Sequence, residues 1–322
     1  MTAKEYIIST LEALAEPVQM EDIGRTPPED KIIQLITTKK FRKYSLDPER
    51  LEQIKSAVSI NVNKNEPIKF TVPFGGYKLW RLSETPEPDW AELFTMVYYT
   101  KWIKPICEIY KPGVWFDFFS DDAVIKRMNN IPPEDTQAYR ETFKKLLKFI
   151  KPYQPENLDM TYNRVGDRYE NQKAFDDELD RRIVETKAEF NGGFPPLDES
   201  WKKMVELNVN TTPEQTKDPE WREKVFLVHE AYGKMSQRRP YYRTPEKIMV
   251  VTTPLGGSLC VGTTKDSIAK FWCGGGALKV NNDSFRQLVL TPSQLENAKF
   301  GWENVKLEGL KGKNFSKIRI LN

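Results

Sequence analysis

Apolar residues return at helical spacing three times in the first sixty positions, which predicts helices over 2–15, 29–38 and 47–60. The period then changes. IKFTVPF (68–74) is a β-rich run closed by Gly75 and Gly76, the pattern of a strand and a turn. In PDWAELFTMVYYTKWIKP, Asp89 stands three residues before Glu92, a capping-box spacing, so a helix is expected from Trp90. Pro105 should kink or end that helix, and Lys111-Pro112-Gly113 should stop it. VWFDFF (114–119) is almost continuously apolar, as suits a strand covered on both faces within a parallel sheet.

From Pro133 to Ile150 the helical period resumes, with Tyr139, Phe143, Leu146, Leu147 and Ile150 in one stripe. LDMTYNRV (158–165) offers a further strand, and 168–190 a highly charged helix that reads as a solvated or flap-like element. Trp221, Val225, Val228, Tyr232 and Met235 share one face of a helix over 219–236. KIMVVTTPLGG (247–257), SLCVGT, IAKFWCGGGALKV and RQLVLTP read as late strands returning to the sheet. The alternation of strand and helix over 68–150 is that of a doubly wound sheet. The expected fold is therefore α/β: a Rossmann-like, mostly parallel sheet with N-terminal helices and a β-rich C-terminal segment. Residues 1–60 form a helical lead and 61–322 an α/β domain, within which 165–245 is a mainly helical insertion.

Composition narrows the function classes. Hydrophobic residues make up 39% and charged residues 30%, a globular balance. No window approaches the ~20 uninterrupted apolar residues of a membrane span, and the first helix carries acids within its apolar stretch, unlike an export signal. The expectation is a cytoplasmic protein without a membrane partner. Forty-nine Lys and Arg stand against 46 Asp and Glu, a net +3, which argues against a dedicated nucleic-acid protein. The three cysteines are far apart and fit reduced, buried thiols. A single histidine, His229, removes most metal-hydrolase and Ser-His-Asp readings. It lies beside the apolar stripe of its helix and reads as a satisfied, partly buried side chain.

Ligands of open α/β sheets bind beyond the carboxyl ends of the strands, and Ser120-Asp121-Asp122 lies at such an end. Carboxylates there can hold a metal, orient a hydroxyl or amine, or act as a general base; the alternative is a turn with an N-cap, and the functional reading is preferred for one of the two acids. Asp117, inside the apolar strand, needs a partner such as an arginine if both faces are covered. PFGGYK (73–78) combines Gly75 and Gly76, whose backbone N–H groups can approach an anion, with the charge of Lys78. TTPLGGSLCVGTTKDSIAKFWCGGGAL (252–278) sets hydroxyls such as Ser258 and lysines such as Lys265 around glycine turns, a phosphate- or carboxylate-binding composition that a set of hairpins also explains. SQRRPYYR (236–243) interleaves Arg238, Arg239 and Arg243 with two tyrosines, suited to phosphate or to stacking.

The order of these pieces over 68–147 resembles the isocyanide synthase family, which includes pyoverdine-cluster and fungal dityrosine spore-wall enzymes. That family has a strand with a KSPN-like loop, a PD-x-x-E helix, an IYPPG bend, a strand ending in SDG, and a D…AY stretch before an amphipathic helix. Here PFGGYK, PDWAE, IYKPG, FFSDD and EDTQAY stand in those places. GGYK replaces the KSPN loop, SDD replaces SDG, and no counterpart of the family's later TPWH histidine is present. The resemblance implies a biosynthetic enzyme that joins the amine of an amino acid to the ketone of a pentulose phosphate, giving an isonitrile. It places Lys78 at the family's loop lysine and Asp121 at the SDG acid.

The expected function is such a condensation on a small, possibly phosphorylated substrate, with no cofactor and no metal. Asp121, Lys78 and Asp122 would be catalytic, with Gly75, Gly76, Arg238, Arg239, Arg243, Lys265 and Ser258 binding substrate. Two other readings stay open. Paired acids at the end of an apolar strand also resemble the metal site of a nucleotide-sugar transferase. The basic-aromatic run with the charged 168–190 helix would suit a non-enzymatic nucleic-acid- or protein-binding factor.

Overall fold

The computed structural model describes residues 1–18, 27–78, 83–129, 131–190, 213–242, 244–252 and 259–322. The chain opens with α1 (Ala3–Ala15), whose start is closed by a capping box between Thr2 and Glu5 and whose Ile7, Leu11 and Leu14 face inward. Next come α2 (Pro28–Ile36), with a proline in its first turn, and α3 (Pro48–Asn63), capped by Asp47 on the Arg50 N–H.

Then the strand–helix alternation begins: β1 (Ile68–Phe74), α4 (Trp90–Ile109), β2 (Val114–Ser120), α5 (Asp122–Asn129), α6 (Pro133–Ile150) and β3 (Leu158–Arg164). The helical stretch α7 (Gln172–Glu189), α8 (Pro213–Lys217), α9 (Pro219–Gly233) and α10 (Arg238–Tyr242) leads to β4 (Lys247–Val251) and β5 (Leu259–Cys260). These five strands form one all-parallel sheet in the order β3-β2-β1-β4-β5. Every side chain of β1 and β2 is wholly or partly buried, which explains why their sequences do not alternate. No helix among the described residues is long and apolar enough to cross a membrane.

Three expectations need correction. Only β4 and β5 of the late strands return to the parallel sheet. β6 (Gly275–Asn281), β7 (Ser284–Leu290), β8 (Gly301–Asn304) and β9 (Lys317–Leu321) form a second, mixed sheet in the order β7-β6-β9-β8, with α11 (Pro292–Asn297) between β7 and β8. Asn282, with φ +53°, turns β6 back on β7 as a hairpin, so the pair cannot take the crossover a parallel sheet requires. The strand expected over IAKFWCGGGALKV starts only at Gly275, because Lys270–Gly274 forms a turn closed by the Gly274 N–H on the Lys270 carbonyl. Of the two outcomes expected at Pro105, an end to the helix is not seen: α4 runs on to Ile109. The proline's neighbours Trp102, Ile103, Ile106 and Cys107 are buried, and that burial offsets one missing helical hydrogen bond.

Helix α4 is the hub. It is apolar nearly all round because one side meets the parallel sheet, through Tyr99 and Trp102 against Phe70 and Phe116, and the other meets the second sheet. At the second contact a Cβ on Gly276 would lie 2.4 Å from the Trp90 Cβ, so only glycine admits this approach. One apolar cluster runs from Ala3 in α1 to Ile318 in β9.

Candidate active site

Strand register decides what meets at the rim. Phe74, Ser120 and Arg164 stand side by side at the carboxyl ends of β1, β2 and β3. The loops beyond them are laced together: the Asp121 N–H donates to the Phe74 carbonyl (2.8 Å) and the Val165 N–H to the Ser120 carbonyl (3.0 Å). Gly76 has φ +70°, and a Cβ there would lie 2.0 Å from the Ser120 Oγ. Gly75 is as tightly held, with the Trp272 Nε1 2.8 Å from its would-be Cβ. The glycine turn after Phe74 and the acids after Phe119 therefore share one place, at the rim where doubly wound sheets bind ligands.

The adjacent aspartates part company. Asp121 turns toward the helical stretch, where the Tyr232 hydroxyl donates to its carboxylate and the Arg238 guanidinium approaches at 3.3 and 3.4 Å. Arg238 also lies over the Tyr232 ring, 4.5 Å from its centroid. Both charged side chains keep some exposure, 16% for Asp121 and 21% for Arg238, so a ligand can reach them. His229, one turn before Tyr232, is held below its usual pKa by burial, against the opposing pull of Glu230, and it feels the charges of both Arg238 and Asp121.

Asp122 turns the other way and is buried. Both its oxygens accept from the Arg164 Nε, at 2.8 and 2.7 Å, and the Tyr162 hydroxyl stands at 3.5 Å. Burial raises its carboxyl above the usual range, with the Arg164 hydrogen bonds and charge opposing. The pair forms one wall of a cavity of about 680 Å³ rimmed by Lys126, Arg127 and Lys224. Because an arginine neutralises each aspartate separately, the two do not present a common pair of free carboxylates. Among the described residues no group of three His, Cys, Asp or Glu converges as a metal-binding set.

Asp117 finds partners other than the arginine envisaged. Thr161, Asn163 and Tyr241 donate to it at 2.9, 2.6 and 2.8 Å, and the Lys247 ammonium adds charge nearby. Thr161 and Asn163 are alternate residues of β3 and so share one face of the sheet. Tyr241 is anchored by stacking on Phe119 at 4.1 Å. Burial still raises the Asp117 carboxyl. Here the tyrosine of the SQRRPYYR run serves the sheet rather than a ligand.

Lys78 is also placed differently from the sequence expectation. Its ammonium is enclosed, with Asp89 at 3.2 Å, Glu92 at 2.9 Å and the carbonyls of Phe271 and Gly274 at 2.7 and 3.0 Å. Its donors are thus committed within the protein, and the lysine ties the β1 loop to the start of α4 and to the second sheet. Burial pushes the Asp89 carboxyl up, but the charges of Lys78 and Arg319 and the Ala91 N–H outweigh it and hold it below its usual range. Burial pushes Glu92 up to about 7, against the pull of Lys78 and with the Asp89 charge adding to it. The Tyr139 hydroxyl completes the group by donating to Glu92 at 2.8 Å.

Of the sequence-predicted residues, the structure brings together Gly75, Gly76, Asp121, Asp122 and Arg238. Lys265 is exposed in a separate depression, with its carbonyl accepting from Lys43. Ser258, Arg243 and the side chain of Arg239 lie outside the described residues. Sequence reasoning missed Tyr232 and Arg164. Tyr232 was absorbed into an apolar stripe, and Arg164 ends a strand with no motif around it; only the strand register shows that it meets Asp122.

The fold and rim are those of an α/β protein with a polar site at the carboxyl edge of its parallel sheet. No protein-family model matches the chain. Isocyanide synthase A from Aspergillus fumigatus is 28% identical to it over 147 residues, which cover 39% of this chain and 24% of that protein. The chain thus spans about a quarter of the length of this curated relative. The crystal structure of the PvcA protein from Pseudomonas aeruginosa superposes with a TM-score of 0.66 at 15% identity, over 92% of this chain and 100% of that one. The chain therefore shares its fold with PvcA and bears a weak, partial resemblance to Isocyanide synthase A.

Proposed function

We propose that the protein is a small-molecule biosynthetic enzyme that condenses an amine, in the first instance that of an amino acid, with the carbonyl group of a second substrate, in the manner of an isocyanide synthase. The reading rests on Asp121. It lies at the sheet rim against the glycine turn, it matches the acid that closes the family's strand, and it carries both a tyrosine and an arginine. An amine must lose a proton before it attacks a ketone. The Asp121 carboxylate would hold the ammonium form and receive that proton, while Arg238 would take the carboxylate or phosphate of a substrate. The amine nitrogen then bonds to the carbonyl carbon, and loss of one water gives the imine from which an isonitrile is built. Lys78 would act only by holding the loop in place.

The test is to incubate the purified protein with individual amino acids and a pentulose phosphate, trap any isonitrile with a tetrazine, and detect the adduct by mass spectrometry. Asp121→Asn should abolish adduct formation while the circular dichroism spectrum stays unchanged. Full activity in that variant would remove the assignment, and no adduct from any pairing would remove the reaction class.

A further inference from the structure

A cavity of about 790 Å³ lies apart from the rim, walled by the C-terminal end of α1, the loop after α2, one face of α4, the turn at 264–266 and the β6–β7 hairpin. It shares no lining residue with the Asp121 site or with the cavity beside Asp122. Its volume falls in the ordinary range of small-molecule sites.

The floor is aromatic. Phe41 and Tyr98 are buried and pack against each other at a 54° tilt with centroids 5.0 Å apart, and the half-buried Phe285 closes one side against Tyr6. The rim is cationic. Five lining side chains are basic, Lys40, Lys101, Lys104, Lys265 and Arg286, against the two acids Glu16 and Asp266. None of the five forms a salt bridge among the described residues, although such pairs are common elsewhere on the surface. Lys104 is buried and donates to the Leu14 and Glu16 carbonyls at the end of α1, with no carboxylate in ion-pair reach among the described residues. The Lys101 side chain is exposed at the rim, but the protein crowding its ammonium, with the Lys40 ammonium beside it, holds it below its usual pKa. Five cations against two acids leave the lining net positive, and an anion in the cavity offsets the repulsion among the cations.

We infer that this cavity is a second ligand site, built for an organic phosphate with a flat apolar body, the chemistry of a nucleotide. The aromatic floor takes the flat body. Lys40, Lys101 and Arg286 take the phosphates, the guanidinium by a two-pronged contact. The helical lead and the second sheet supply opposite walls, so the bound ligand ties the two ends of the chain together.

ATP is the probe, titrated into the full chain by isothermal calorimetry at low salt, with inorganic phosphate as comparison. ATP should bind saturably and phosphate much more weakly. The double variant Lys101→Glu/Arg286→Glu changes two exposed residues and should keep its melting temperature. It should lose about tenfold or more in ATP affinity, since a hydrogen bond to a charged group is worth roughly that factor. Asp121→Asn should bind ATP like the unaltered protein, which separates this site from the proposed active site. No saturable ATP binding, equal affinity in the folded double variant, or loss of binding on Asp121→Asn would each overturn the inference. Should the double variant fold poorly, Lys265→Glu alone should weaken ATP binding, and an unchanged ATP affinity there would count against the site.

Discussion

Replacing Lys78 by Met separates a structural lysine from a chemical one. The substitution keeps the length of the side chain and removes the cation that two carboxylates share. Asp89 and Glu92 are almost wholly buried, so they would be left as neighbouring charges with only Arg319 opposing them at 3.5 Å. Breaking a buried pair by removing one partner costs about 3–5 kcal/mol. That is a large share of the roughly 5–15 kcal/mol by which a domain is stable. The cost carries a pH signature. In the folded chain Glu92 already sits at about 7 against an ordinary 4.5, so the folded state holds this proton more tightly than the unfolded chain does. Stability from this group is fully present below the ordinary carboxyl range and is lost as pH rises through about 7, by roughly 3 kcal/mol for the full shift. Without Lys78 the Glu92 carboxyl climbs further, so the variant should be hurt less near pH 5.5 than near pH 8. Urea unfolding followed by circular dichroism at these two pH values measures both effects, and Lys78→Met/Glu92→Gln should recover part of the loss at the higher pH. A variant that loses less than about 1 kcal/mol, or loses most at acidic pH, refutes the reasoning. If it did so while losing all turnover, Lys78 would belong to the chemistry after all.

Gly76→Ala should destabilise by about 1–3 kcal/mol, because alanine is strained at φ +70° and its Cβ would lie 2.0 Å from the Ser120 Oγ. Adding Ser120→Ala should return only part of that in the same urea assay, since the backbone strain remains; full recovery would contradict it. Arg164→Leu should cost about 2–3 kcal/mol at neutral pH by stranding the buried Asp122 carboxylate, and the deficit should shrink in Arg164→Leu/Asp122→Asn. A double variant no more stable than the single one would show that Asp122 does not depend on Arg164.

How much of this was legible beforehand follows from the range of the forces involved. Helix starts are local. The capping boxes at Thr2 and Asp89 connect residues three apart, and the Asp89 box was visible from spacing alone. The near-continuous apolarity of VWFDFF announced a strand covered on both faces, and β2 lies inside the five-stranded sheet. That the acids after Phe119 and the glycines after Phe74 meet was inferable too, since parallel strands carry all their carboxyl ends to one edge. The second sheet was harder to see. Its last two strands, β8 and β9, are short, and their burial depends on partners far away in the chain.

What the sequence by itself determined is therefore the class of fold and the edge of the sheet where a site belongs, because both follow from periodicity and strand direction. Tertiary structure alone decided the pairing of the charges. Lys78 meets acids 11 and 14 residues on, Asp122 meets an arginine 42 residues on, and Asp121 meets a tyrosine and an arginine more than 100 residues on. A charge at such separations has many possible partners along the chain. Burial removes the water that would otherwise satisfy it, and the packing of the elements selects the partner that remains.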